Sequence, residues 1–125
     1  LGTNDTKPVN WEPYGNEFQT DYLAMIDTIK KVNPSTRFIL GYPPPVIEDR
    51  WGIRDSIVVN GVIPAIDSVL TKVDAELVDF YHPLLQSGDL FPDKIHPDIE
   101  GSKEMAKILL KRIIDTDIVH NAMKD

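Results

Sequence analysis

The apolar positions of this 125-residue chain fall into four periodic stretches, and their order is the first clue to the fold. From Glu17 to Val32, the residues Phe18, Tyr22, Met25, Ile26, Ile29 and Val32 recur at three- and four-residue steps. Asn16 and Gln19 occupy capping-box positions, and Asn33-Pro34 follows, so the pattern predicts an amphipathic helix that stops there. Arg37 to Tyr42 is a short, mostly apolar run ending in Pro43-Pro44-Pro45, as expected of a buried strand leaving its sheet. Ile53 to Lys72 is ambiguous. Ile57, Val62, Ile66 and Val69 fit a helix, whereas Val58 to Ile63 also resembles a hairpin around Asn60-Gly61. The helix is preferred, with Pro64 starting or kinking its second part. Leu77 to Tyr81 reads as a second strand. A last helix is expected from Asp98 as N-cap, burying Met105, Ala106, Leu109, Leu110, Ile113 and Ile114. The residues after Asp115 read as a frayed tail.

Helix and strand therefore alternate, which predicts an α/β domain with a parallel sheet covered on both faces. Turn signals are evenly spread and no repeat or linker appears, so residues 1–125 are expected to form a single domain. The opening Leu1-Gly2-Thr3-Asn4-Asp5 has no initiator Met and no leader pattern, and reads like a chain cut within a domain.

Composition removes several functions. The net charge of -7, from 20 acidic against 13 Lys and Arg residues, argues against tracking nucleic-acid phosphates or an anionic membrane surface. No apolar run approaches the roughly 18 residues that a membrane span needs. With no Cys there is no disulfide framework and no thiol catalysis, although the compartment stays open.

In parallel sheets, ligands bind beyond the carboxyl ends of the strands, which directs attention to the segments Gly2–Trp11, Pro43–Trp51 and His82–Pro97. The last contains Asp93-Lys94-Ile95-His96-Pro97. A carboxylate three residues before a His can accept its Nδ1 proton and leave Nε2 free as a general base. Read alone, the same spacing fits better a capped turn with His96 packed beside Pro97. Gly2-Thr3-Asn4-Asp5 could present the Asn4 amide to developing negative charge, an effect of about 3–4 kcal/mol where one such donor has been removed. Read alone, that segment is better explained as an Asx turn. Asp79, His82, Asp89, Asp93 and His96 match no metal-ligand spacing. Trp11, Tyr42 and Trp51 are candidates to wall a pocket, His120 reads as solvent-exposed, and Lys111-Arg112 suits a helix C-terminus.

In combination, Gly2-Thr3-Asn4-Asp5, Asp93-Lys94-Ile95-His96-Pro97 and the following Asp98-Ile99-Glu100-Gly101 helix start resemble the SGNH/GDSL hydrolase family. They look like its third and fifth blocks, Gly-x-Asn-Asp and Asp-x-x-His, in the right order, and the two strands are similar to those of acetylesterase-like members. The resemblance implies a three-layer α/β/α, flavodoxin-like parallel sheet, here the C-terminal part of the domain with the first strands missing. It implies His96 as general base, Asp93 as its orienting carboxylate, Asn4 as oxyanion donor and Gly2 as the residue that turns Asn4 into place. The family's nucleophilic Ser and its second-block Gly have no counterpart, since Ser35, Ser56, Ser68, Ser87 and Ser102 all lack a strand-to-turn setting.

The expected function is thus a serine ester hydrolase that removes acetyl or another short acyl group from a carbohydrate or small ester. It would need no cofactor and no metal, and its Ser would lie outside this chain. A preceding segment or companion chain would complete the sheet, and the resemblance suggests an extracellular or periplasmic location. The alternative is a catalytically silent module that binds a glycan or a protein through Trp11, Tyr42 and Trp51. A metal-dependent hydrolase built on His82, His96 and nearby Asp residues comes last.

Overall fold

The computed structural model describes the backbone of residues 1–122 and the side chains of residues 1–117. A 3-10 turn, Asn4–Thr6, leads into helix α1, Pro8–Val32. The helix thus begins at Pro8 rather than Glu17, and Asn16 and Gln19 lie inside it instead of forming a capping box. Pro8 suits the first helical turn because the N–H it lacks would have no helical acceptor there. Pro13, inside the helix, forgoes one backbone bond. Tertiary packing outweighs that loss, because the Trp11 indole stacks on the backbone of Gly15 and Gly61, where no side chain intervenes. Asn33 ends α1 as predicted, and its side-chain oxygen accepts bonds from Ser35 N–H and Oγ.

Strands β1, Ile39–Tyr42, and β2, Glu76–Asp79, pair in parallel with Leu40 opposite Leu77 and Tyr42 opposite Asp79. Between them lie α2, Asp55–Ile57, a π turn at Val58–Val62, and α3, Ile63–Leu70. This settles the ambiguous stretch as helical, with Pro64 in the first turn of α3. The reason is visible in burial: Val58, Val62, Ile66 and Val69 are fully buried at helical spacing, a stripe that a hairpin around Asn60-Gly61 would split between two faces.

That stripe packs with Leu40, Tyr42 and Ile26 in one core cluster. Alternation along the strands sends Ile39, Gly41 and Val78 the other way, into a groove shared with Met105, Leu109 and Ile113. The latter three belong to α4, Ile99–Ala122. Asp98 caps this helix as predicted, its Oδ1 accepting the Gly101 N–H at 2.8 Å. The rest of the expectation needs correction. The backbone from Thr116 to Ala122 is helical rather than frayed, and Ala106, Leu110 and Ile114 are exposed while Met105, Leu109 and Ile113 are half-buried. Two strands offer too little surface to cover a wider stripe. The C-terminal half of α4 is held instead by polar contacts at the sheet's far end. Arg37 grips Glu76 with Nε at 2.6 Å and Nη2 at 3.2 Å, while Nη1 reaches Asp117 at 2.8 Å. Thr116 Oγ1 donates to Glu76 at 2.6 Å, and Arg112, mid-helix rather than at its end, lies 3.8 Å from the same carboxylate.

Candidate active site

Beyond the carboxyl end of β2 the chain runs through short turns to Asp93-Lys94-Ile95-His96, where Lys94 takes a left-handed conformation with φ of 72°. That reversal folds the backbone around one carboxylate. Asp93 Oδ1 accepts the Ile95 N–H at 2.9 Å and the His96 N–H at 2.7 Å, and Oδ2 lies 2.8 Å from His96 Nδ1. The bond from the His96 backbone, then that from its ring, then that from Ile95 bring the Asp93 carboxyl down to about 2. Asp93 is therefore ionised at neutral pH and takes the Nδ1 proton as acceptor, so neutral His96 presents a bare Nε2. The imidazole is exposed, and Nε2 meets no protein partner among the described residues. Trp51, itself left-handed with φ of 51°, sets its indole 6.0 Å from the imidazole at a 35° tilt.

The Gly2–Asp5 segment forms a separate turn. Gly2 is buried with φ of 106°, and a Cβ there would overlap Val62, so backbone conformation and packing both require glycine. Asn4 is exposed. Its carbonyl accepts from Asn10 Nδ2 at 3.1 Å, but its side-chain amide makes no hydrogen bond among the described residues, so no Asx turn forms through it. Among the described residues no hydrogen bond joins Asn4 to Asp93 or His96. The two turns are linked through the segment after β1: Ile47 N–H donates to Lys94 O at 2.9 Å, and Arg54 N–H donates to buried Thr6 Oγ1 at 3.2 Å. Gly52, next to the Trp51 that faces His96, lies against Lys7. One connecting segment thus braces both candidate turns.

A second carboxylate–imidazole pair was not singled out by the sequence reading. Asp79, the last residue of β2, accepts Tyr81 and His82 N–H on Oδ1 at 2.9 and 3.0 Å, with Oδ2 2.7 Å from His82 Nδ1. The signal was available: Asp79-Phe80-Tyr81-His82-Pro83 repeats the Asp-x-x-His-Pro spacing of Asp93 to Pro97. Tyr42 and Tyr81 flank His82 at ring distances of 6.4 and 5.3 Å. Both phenols are committed, Tyr42 to Asp67 and Tyr81 to Asp55. Burial first, and then the bond to Asp67, push the Tyr42 hydroxyl up to about 12.

The remaining candidates separate. No three His, Asp or Glu side chains converge as a metal site among the described residues. Trp11, Tyr42 and Trp51 pack on three different rings: Trp11 on Phe18, Tyr42 on His82 and Trp51 on His96. A cavity of about 380 Å³ along the aromatic face of α1 contains neither His82 nor His96. None of the five serines bonds either imidazole. The His120 side chain lies outside the described residues. No described helix is long and apolar enough to cross a membrane.

Comparison with known proteins finds similarity to an acetylxylan esterase of Xylanibacter ruminicola. The two are 31% identical over 131 aligned positions, which take in 90% of this chain and 27% of that protein. The chain thus spans about a quarter of the length of the curated relative it matches. No protein-family model and no solved structure matches the chain.

Proposed function

We propose that this chain is part of a serine ester hydrolase of the SGNH/GDSL type, an acetyl esterase acting on carbohydrate esters. The observation that carries the reading is the Asp93–His96 pair, a preformed and exposed general base whose free nitrogen faces solvent beside Trp51. Similarity to an acetylxylan esterase supports acetyl as the acyl group and a sugar as the alcohol.

In this reading a Ser supplied by polypeptide outside these residues attacks the ester carbonyl, and His96 Nε2 takes its proton. Asp93 holds the ring and stabilises the imidazolium. The Asn4 amide, turned outward by Gly2, donates to the oxyanion of the tetrahedral intermediate. His96 then returns the proton to the leaving sugar oxygen. Water, deprotonated by the same nitrogen, releases acetate. No step calls for a cofactor.

The same reading places the two strands in a three-layer α/β/α sheet of flavodoxin type, completed by a further strand beside β1. A groove of about 580 Å³ between Leu1, Ile39 and Gly41 on one side and Met105, Leu109 and Ile113 on the other supports it. An apolar strand with an open edge beside such a groove calls for a partner strand, from the same polypeptide or a companion chain. A silent module that binds a glycan or a protein would rely on Trp11, Tyr42 and Trp51, of which Tyr42 is buried and each packs on a different ring, so the hydrolase reading stands first.

The test is acetate release from acetylated xylo-oligosaccharide by the intact protein. Turnover that falls by about 10³-fold or more in His96→Ala, with folding unchanged by circular dichroism, is the expected result. Unchanged turnover in that variant removes His96 as base.

A further inference from the structure

We propose that His82 is a second substrate-binding group, a positioning residue that hydrogen-bonds a hydroxyl of the sugar portion of the ester. The inference rests on the hydrolase reading. The backbone N–H groups of Tyr81 and His82 are already satisfied by Asp79 Oδ1, so closing the end of β2 needs the carboxylate and not the imidazole. The ring is nonetheless fixed. Asp79 Oδ2 holds Nδ1 at 2.7 Å, and the rings of Tyr42 and Tyr81 stand nearly edge-on to it, at interplanar angles of 66° and 78°. Neither tyrosine is free to swing, because Tyr42 is bonded to Asp67 on α3 and Tyr81 donates to Asp55 on α2 at 2.7 Å.

An exposed imidazole held in this way has one edge left, and Nε2 has no protein partner among the described residues. Its rotameric freedom is lost before any ligand arrives, which removes part of the ordering cost of binding. The partner it suits is a neutral hydroxyl, which can donate to a bare Nε2, while the buried rings of Tyr42 and Tyr81 hold the imidazole in place from below. Its position agrees with a substrate role: His82 follows the carboxyl end of β2, and its neighbour Tyr42 ends β1, from which the chain continues to Trp51 and the His96 turn. His96 has Trp51 on one side and serves the reacting bond, whereas His82 lies between two tied tyrosines and serves recognition.

The experiment compares two esters in the intact protein, 4-nitrophenyl acetate, which has no sugar, and a monoacetylated methyl xyloside. His82→Ala is expected to raise KM for the xyloside about tenfold with kcat nearly unchanged, and to leave kcat/KM for 4-nitrophenyl acetate within about twofold. His82→Gln, whose amide can reach the Nε2 position, is expected to restore most of the affinity. Methyl xyloside without the acetyl group is expected to shift the His82 ring proton resonances of the unmodified protein. Equal losses on both esters, or no change on either, overturn the proposal. If His82→Ala abolishes 4-nitrophenyl acetate hydrolysis and His96→Ala does not, the base has been assigned to the wrong pair. If the unmodified protein hydrolyses neither ester yet the xyloside shifts His82, the hydrolase reading fails while sugar recognition by His82 survives.

Discussion

Asp93 shows how much one carboxylate can organise. Three hydrogen bonds converge on it, two from backbone N–H groups and one from the imidazole it orients. Because its folded value lies near 2, below the ordinary 3.8, ionised Asp93 favours the folded turn throughout the range above the ordinary value. That contribution is lost as pH falls through about 2. A carboxyl-carbon NMR titration of the intact protein should therefore place the Asp93 midpoint near 2. Asp93→Asn keeps the shape but can offer its amide to Nδ1, which stabilises the wrong tautomer. It is expected to lower kcat by about 10³–10⁴ while KM changes little, as steady-state kinetics would show. The Asp93–His96 pairing was legible in the Asp-x-x-His spacing, because three residues suffice for the chain to turn back on itself. The identical spacing at Asp79–His82 was equally legible, and only its assignment to a loose group of metal candidates hid it. Contacts with Trp51 and the tyrosines were not legible, since they depend on where separate loops meet.

At the scale of elements, the helices show where local pattern stops being informative. The N-terminal third of α1 contains Pro8, Pro13 and Gly15, a composition that reads as loop, yet Trp11 anchors it on Gly61 across the π turn. A Cβ on Gly61 would overlap the indole, and a ring of that size cannot yield cheaply. Gly61→Ala is accordingly expected to cost about 1–3 kcal/mol in urea unfolding and to loosen the start of α1 in hydrogen exchange. Unchanged stability would mean that Trp11 does not hold the helix. At the far end of the sheet, Glu76 joins Arg37 and Thr116, and with Arg37 it reaches Asp117. The Arg37 guanidinium holds the Glu76 carboxyl below its usual range. Glu76→Gln should loosen the second half of α4, read as faster amide exchange from Arg112 onward. The length of α4 escaped the sequence pattern because the helix is tied at Arg112, Thr116 and Asp117 by polar bonds to distant residues, which local apolar spacing does not reveal. The core stripe Val58, Val62, Ile66 and Val69 was legible because helical spacing alone keeps all four on one face.

For the whole molecule, the order helix, strand, helix, strand, helix was readable from periodicity, and so was the parallel pairing that such an order requires. The extent of the sheet was not, because partner strands are a matter of which other segments approach, and among the described residues two strands pair. The same holds for the site: Asp93 and His96, the proposed orienting carboxylate and base, are close in sequence and meet, whereas Asn4 and His96 are far apart in sequence and their turns are linked through the segment after β1. The central claim is that His96 activates a serine for attack on an ester carbonyl. Its most direct test is the rate at which a fluorophosphonate labels the intact protein, followed by intact and peptide mass. The account predicts a single adduct on a serine outside these 125 residues, formed about 10³-fold more slowly in His96→Ala. No adduct, or labelling at the same rate without the imidazole, would contradict it.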